Sequence, residues 1–220
     1  GLMHVLEQAE MDGHCALPIE AMVEQASRNL GAPEYAVRDA GERLVISGEV
    51  VLEHGNDGTP LAFPVRMLEA ENDVAAGLAA LARAEAAPWK VPGLPEHLAA
   101  GQRAAVEAVA DHGVVVLTGG PGTGKSTVVA QVLQLAEANA IEVMLAAPTG
   151  RAAKRLEQTT GHAASTLHRL LEFQPETGAF AHGPADPLPP GLLVVDESSM
   201  VDVVLAQALL GALTDAHRLL

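Results

Sequence analysis

The chain has 220 residues, room for one large domain or two small ones, and its 49% hydrophobic, 2% aromatic composition calls for a core of Ala, Val and Leu. A net charge of −15 argues against indiscriminate nucleic-acid binding, which leaves a basic footprint. The single cysteine, Cys15, excludes an internal disulfide, no apolar run approaches the ~20 residues of a membrane span, and no charged-then-apolar leader is present, so a soluble protein of the reducing cytoplasm is expected.

Gly1-Leu2-Met3 falls inside an apparent helix and Ala216–Leu220 reads as the start of a strand, so the expectation is a piece of a longer polypeptide. Ile19, Met22, Val23, Ala26 and Leu30 fall at helical spacing, with Gly31 as the stop. Pro33 starts a shorter helix through Tyr35 and Val37, closed by Gly41. Two β-rich runs follow, Leu44-Val45-Ile46 and Val50-Val51-Leu52, and the turn Gly55-Asn56-Asp57-Gly58 leads to a third at Leu61–Val65. An Ala-rich helix from about Arg66 to Ala87 completes residues 1–87, read as an accessory domain of winged-helix-like α+β type. Residues 1–100 carry 6 basic against 16 acidic side chains, which argues against duplex DNA as their partner and for protein packing. Pro88–Pro95, with three prolines and a glycine, is the linker. Its Trp89 is either a base-stacking platform or a hydrophobic plug.

Gly101-Gln102-Arg103 opens a helix through Val106 and Val109 that ends at His112-Gly113. The amide of Gln102 matches the donor–acceptor pattern of adenine N6–H and N7, although a solvated glutamine is the plainer reading. Val114-Val115-Val116-Leu117 reads as a fully buried strand. Thr118 follows, then Gly119, Gly120, Pro121, Gly122, Thr123, Gly124, Lys125, Ser126 and Thr127. This is the G-x-x-x-x-G-K-[ST] spacing between a strand and the helix starting near Val128, the context in which a phosphate loop forms. Glycines allow backbone N–H groups to converge on phosphate oxygens, Lys125 would reach the β- and γ-phosphates, and the Ser126 hydroxyl would ligate Mg²⁺.

Ile141–Ala147 is a second strand, running into Pro148-Thr149-Gly150-Arg151 and a helix through Leu156. Loops at strand carboxyl ends bind ligands in open α/β sheets, and Thr149, the Gly150 backbone and Arg151 suit phosphate oxygens. Arg151, Lys154 and Arg155 form the densest basic cluster, on one helix face, as a solvated surface or a DNA contact. Ser165-Thr166-Leu167-His168-Arg169-Leu170-Leu171 reads as an amphipathic helix with a capping Ser or Thr, and Thr166 and His168 offer donors. The proline-rich stretch 173–190 reads as an exposed loop. Gly191–Val195 is a buried strand that delivers Asp196 to Mg²⁺ and Glu197 as general base to the attacking water.

In this order, Gln102, the Thr118–Thr127 loop, Ala147–Ala153, Ser165–Leu171 and Val195–Met200 resemble the motifs of superfamily-one DNA helicases. The RecD-like branch, the exodeoxyribonuclease V alpha-subunit family, is most similar over about residues 96–220, and the first half is similar, more loosely, to the amino-terminal region of its stand-alone members. The resemblance implies a RecA-like P-loop NTPase domain with a parallel sheet, using ATP and Mg²⁺. It further implies a monomeric motor translocating 5′-to-3′ on single-stranded DNA in recombination and repair. By resemblance Gln102 reads adenine, and Pro148, Thr149, Gly150, Arg151, Thr166 and His168 line the DNA track. The family's γ-phosphate-sensing glutamine, second RecA-like domain and arginine finger match nothing here. This piece is therefore expected to bind nucleotide weakly and unwind nothing. The competing readings are a P-loop ATPase acting on RNA or protein, and an adaptor that binds nucleotide without hydrolysis.

Overall fold

The computed structural model describes residues 1–84, 88–91, 93–120 and 122–220. These divide into two compact units, residues 1–73 with 202–204, and residues 74–201 with 205–220.

The first unit begins with α1 (Leu2–Met11), β1 (Leu17–Pro18), α2 (Ile19–Leu30) and α3 (Glu34–Ile46). It continues through β2 (Val50–His54) and β3 (Pro60–Pro64) into α4 (Val65–Arg83), which runs on into the second unit. Helix α2 buries Met22, Val23 and Ala26 at the predicted spacing, and Gly31 ends it in the left-handed region at φ 62°. The chain then departs from expectation. Gly41 does not close α3, and Leu44-Val45-Ile46 form its last turn instead of a strand. An interior glycine costs only about 1 kcal/mol, and the extra turn packs Leu44 onto the core while Ile46 stays in solvent. The break falls at Gly48, φ 77°, where the backbone does turn left-handed. Strands β2 and β3 form the expected hairpin, and β1 pairs with β3 to give an antiparallel sheet of order β1-β3-β2. Helices α1–α3 and this three-stranded antiparallel sheet make up most of the first unit. The long helix expected to reach Ala87 is observed to Arg83, and residues 85–87 lie outside the described residues.

The second unit contains α5 (Ala100–Asp111), α6 (Lys125–Ala138), β4 (Val143–Ala147), α7 (Gly150–Thr160), β5 (Ala164–Thr166) and α8 (Leu167–Leu170). A small hairpin follows, β6 (Phe173–Gln174) and β7 (Ala179–Phe180), then β8 (Leu192–Val195), α9 (Val203–Gly211) and β9 (Arg218–Leu219). The sheet is parallel, in the order β5-β4-β8-β9. Strand β8 explains its own unbroken apolar run. Leu192 and Val194 pack with α5 and α6, while Leu193 packs on the opposite face with α8 and α9.

Two further stretches differ from expectation. The run 114–117 is neither a full strand nor fully buried: Val114 makes one parallel bridge to Leu219, and Val116 is 81% exposed. It lies at the sheet's open edge, where β9 offers a ladder only two residues long. Stretch 173–190 is more than an exposed loop. Phe173 and Phe180 pair across the hairpin, and Leu188 is buried, its N–H donating to the Ala212 carbonyl. Buried His217 holds the end of this stretch, its Nε2 bonded to the Pro189 carbonyl at 2.9 Å while Nδ1 accepts from Thr214 N–H.

Candidate nucleotide and nucleic-acid site

The loop before α6 turns through Gly122 (φ 78°) and Gly124 (φ 83°), backbone that side-chain-bearing residues seldom adopt. Thr123 closes it, its hydroxyl donating to the Gly120 carbonyl at 2.8 Å. Lys125 folds over the loop and its ammonium donates to the Gly119 and Gly120 carbonyls. Ser126 and Thr127 follow in the first turn of α6, both exposed. Pro121 lies outside the described residues. Gln102 reaches the loop from α5: its Nε2 donates to the Thr123 carbonyl at 3.3 Å, while its Oε1 accepts from Ala99 N–H.

The acidic pair arrives from β8. Asp196 N–H donates to the Ala146 carbonyl on β4, and Asp196 Oδ1 accepts from Glu197 N–H at 3.0 Å. Glu197 adopts φ 55°, a left-handed turn rare outside glycine, and opens a short 3₁₀ turn over Ser198–Met200. Glu197 and the three residues of that turn are exposed. Gly119, Lys125, Ser126, Asp196 and Glu197 line one cavity of about 300 Å³. The amino end of α6 and the carboxyl end of β8 thus bring the lysine and the acidic pair together. The donor set fits Mg²⁺, a hard cation commonly held by one or two protein oxygens together with substrate phosphates. Among the described residues no cluster of three or more His, Cys, Asp or Glu competes as a metal site.

The second group of expected residues sits at the carboxyl ends of adjacent strands. Strands β4 and β5 pair with Ala147 opposite Thr166, so the Pro148–Arg151 turn and the Thr166–His168 turn lie side by side. Each threonine caps the helix that follows: Thr149 Oγ1 accepts from Ala152 N–H and Thr166 Oγ1 from Arg169 N–H, both at 3.2 Å. Accepting leaves each hydroxyl proton for an outside acceptor. Arg151 and His168 are exposed, and His168 packs edge-on to Phe173, ring centroids 5.5 Å apart.

This geometry can be set beside known proteins. A family model described as AAA domain matches residues 102–220, more than half of the chain. The chain belongs to this family. Over 137 residues, 60% of its length, it is 47% identical to the ATP-dependent RecD2 DNA helicase of Deinococcus radiodurans. It is 43% identical over 54% of its length to the RecBCD enzyme subunit RecD of Mycolicibacterium smegmatis, and 39% identical over 73% to that of Mycobacterium tuberculosis. The aligned regions cover 18%, 26% and 32% of those proteins. The chain is thus similar to RecD proteins over part of their length, and its α/β sheet has the RecA-like P-loop arrangement.

Three residues carry more of the second unit than their sequence context showed. Trp89 is 9% exposed, packed among Val106, Val109 and Leu192, so of the two sequence readings the plug fits its surroundings. Arg218, 4% exposed, lies over its ring at 4.5 Å and donates to the Val109 and Ala110 carbonyls at the carboxyl end of α5. Burial lowers the Arg218 pKa from its ordinary value, opposed by Asp111 nearby. Arg155 is the third: α7 carries it to the wall of the Lys125–Asp196 cavity. Helical phase could have shown that Arg155 and Thr159 share a stripe, but not which cavity the stripe faces.

Proposed function

We propose that this chain is the accessory region (1–87), linker (88–95) and first motor domain (96–220) of an ATP-dependent DNA helicase of the RecD-like branch. In this reading the motor acts in the cytoplasm as a monomer, moves 5′-to-3′ on single-stranded DNA during recombination and repair, and has its second RecA-like domain in the rest of the polypeptide. The observation that carries it is the convergence of Lys125, Ser126, Asp196 and Glu197 on one cavity. The loop amides and Lys125 would bind the phosphates, and the Ser126 hydroxyl with the Asp196 carboxylate would hold Mg²⁺. Bound there, Mg²⁺ would supply positive charge to the phosphate oxygens. Glu197 takes the proton of the attacking water. Gln102, bonded to the loop, meets the adenine edge. The paired turns at Thr149–Arg151 and Thr166–His168 grip the DNA backbone, next to the strand that ends in Asp196 and Glu197, so a change at the phosphates has a short path to DNA.

The test is ATP hydrolysis by the complete protein with and without single-stranded DNA. Lys125→Ala and Glu197→Gln should each reduce stimulated turnover at least a hundredfold. Stimulation that survives either change overturns the site assignment. RNA that replaces DNA without loss overturns the substrate, and the 220-residue chain by itself should bind nucleotide weakly and unwind no duplex.

A further inference from the structure

The cavity that holds Lys125 and the acidic pair has a second cationic wall. Helix α7 packs against α6, β4 and β5, and two of its turns face the cavity through Arg155, Leu156, Thr159 and Thr160. These are two i,i+4 pairs, so they form one stripe along the helix. Leu156 is buried and anchors the stripe. The threonine hydroxyls are turned back on their own helix, Thr159 donating to the Arg155 carbonyl and Thr160 to the Leu156 carbonyl, each at 2.8 Å. Their protons are thereby occupied. Arg155 is different: it is exposed, and among the described residues its guanidinium has no ion pair or hydrogen bond, although Asp196 and Glu197 line the same cavity.

We infer that Arg155 binds the terminal phosphate of the nucleotide, as a cation supplied in cis from α7. The inference rests on the reading of this cavity as the nucleotide site. The cavity wall contains Ser126, Asp196 and Glu197 but not Gln102, so Arg155 stands at the phosphate end and not at the base end. A guanidinium presents several N–H donors in a fixed plane that matches phosphate oxygens, and its charge does not titrate away near neutral pH. Lys125 is bound to the loop itself, through the Gly119 and Gly120 carbonyls, so Arg155 would meet the phosphates from another side. Helix α7 also starts at the Thr149–Arg151 turn. One rigid helix therefore has its amino end at the proposed DNA track and its middle at the terminal phosphate.

The experiment is calorimetric titration of the 220-residue chain with two magnesium nucleotides, ADP and the non-hydrolysable imidotriphosphate analogue of ATP. Arg155→Ala should weaken the triphosphate analogue about tenfold, the worth of one charged hydrogen-bonded contact, and leave ADP within about twofold. Arg155→Lys should fall between, since it keeps charge and loses the fork. Equal weakening of both nucleotides, as a partner of Glu197 alone would give, overturns the inference, and so does no change in either. Lys125→Ala serves as the control. If it abolishes binding while Arg155→Ala changes nothing, the cavity reading stands and the Arg155 role falls. If Lys125→Ala binds like the wild type, or the wild type binds neither nucleotide, the cavity reading falls and takes the Arg155 role with it.

Discussion

Gln102 and Gly124 are in contact across the phosphate loop: a Cβ built on Gly124 would sit 2.2 Å from Gln102 Nε2. The same glycine has φ 83°. Two separate constraints meet at one residue. Gly124→Ala would pay for a left-handed backbone, about 1–2 kcal/mol, and would push the Gln102 amide off the Thr123 carbonyl. Nucleotide affinity of Gly124→Ala, measured by titration, should fall at least tenfold. Adding Gln102→Ala should relieve the collision and leave the backbone defect. Full recovery in the double variant would contradict the backbone argument.

The two capping threonines make a matched pair of predictions. Thr149→Val and Thr166→Val each remove an acceptor for a helix-opening N–H and should cost about 1 kcal/mol in chemical denaturation. Serine at either position keeps the acceptor and should lose only a few tenths of that. If the hydroxyl protons also reach DNA phosphates in the complete protein, valine should weaken single-strand binding while serine retains it. Valine variants of wild-type stability would show that the caps are not formed in solution.

Arg218 and Trp89 give a spectroscopic handle, since Trp89 is the only tryptophan. Arg218→Met leaves the Val109 and Ala110 carbonyls without their charged donor and should destabilise the fold by about 2–3 kcal/mol. Trp89 emission should shift to the red as water reaches the ring. Arg218→Lys keeps a cation but loses the planar stack, so it should lie between. An unchanged unfolding midpoint in Arg218→Met would mean that the guanidinium is not held where it is described.

Cys15 supplies a pH dependence. Burial, then a hydrogen bond with Glu71, pushes the thiol pKa up from 9.0 to about 11. The folded state therefore binds this proton more tightly than the unfolded chain. The stability this contributes is complete below about pH 9, the unfolded value, and is lost as pH rises toward 11. Because the thiolate is the nucleophile, disulfide-reagent labelling at pH 8 should run far slower in the folded chain than in urea. Glu71→Gln should speed it. Equal rates in the folded and unfolded chain would contradict the shifted thiol.

Much of this molecule could be read along the chain because its signals are local. Gly31 stops α2 where a left-handed cap is needed, and the apolar period of α2 and the unbroken run of β8 record which faces are buried. The misreadings share a cause. Leu44–Ile46 is β-branched enough to suggest a strand, yet packing of Leu44 holds it in α3. Val114–Leu117 has the composition of a buried strand, but a strand's burial is decided by its neighbours in the sheet, and here only Val114 has one. The hairpin of Phe173 and Phe180 is two residues per strand, too short to show a period of two.

The sequence by itself determined the chemistry on offer: a glycine loop ending in Lys125-Ser126, an Asp196-Glu197 pair, and polar turns at Thr149 and Thr166. Residue type and spacing carry that information because the backbone conformations these motifs need are local. Which groups share a volume was decided only by the parallel sheet, whose order brings β8 beside β4 and turns one stripe of α7 toward Lys125. Arg155 lies 30 residues from Lys125 along the chain and 41 from Asp196. No local rule relates such separations, since their proximity is set by strand order and helix packing summed over the whole core.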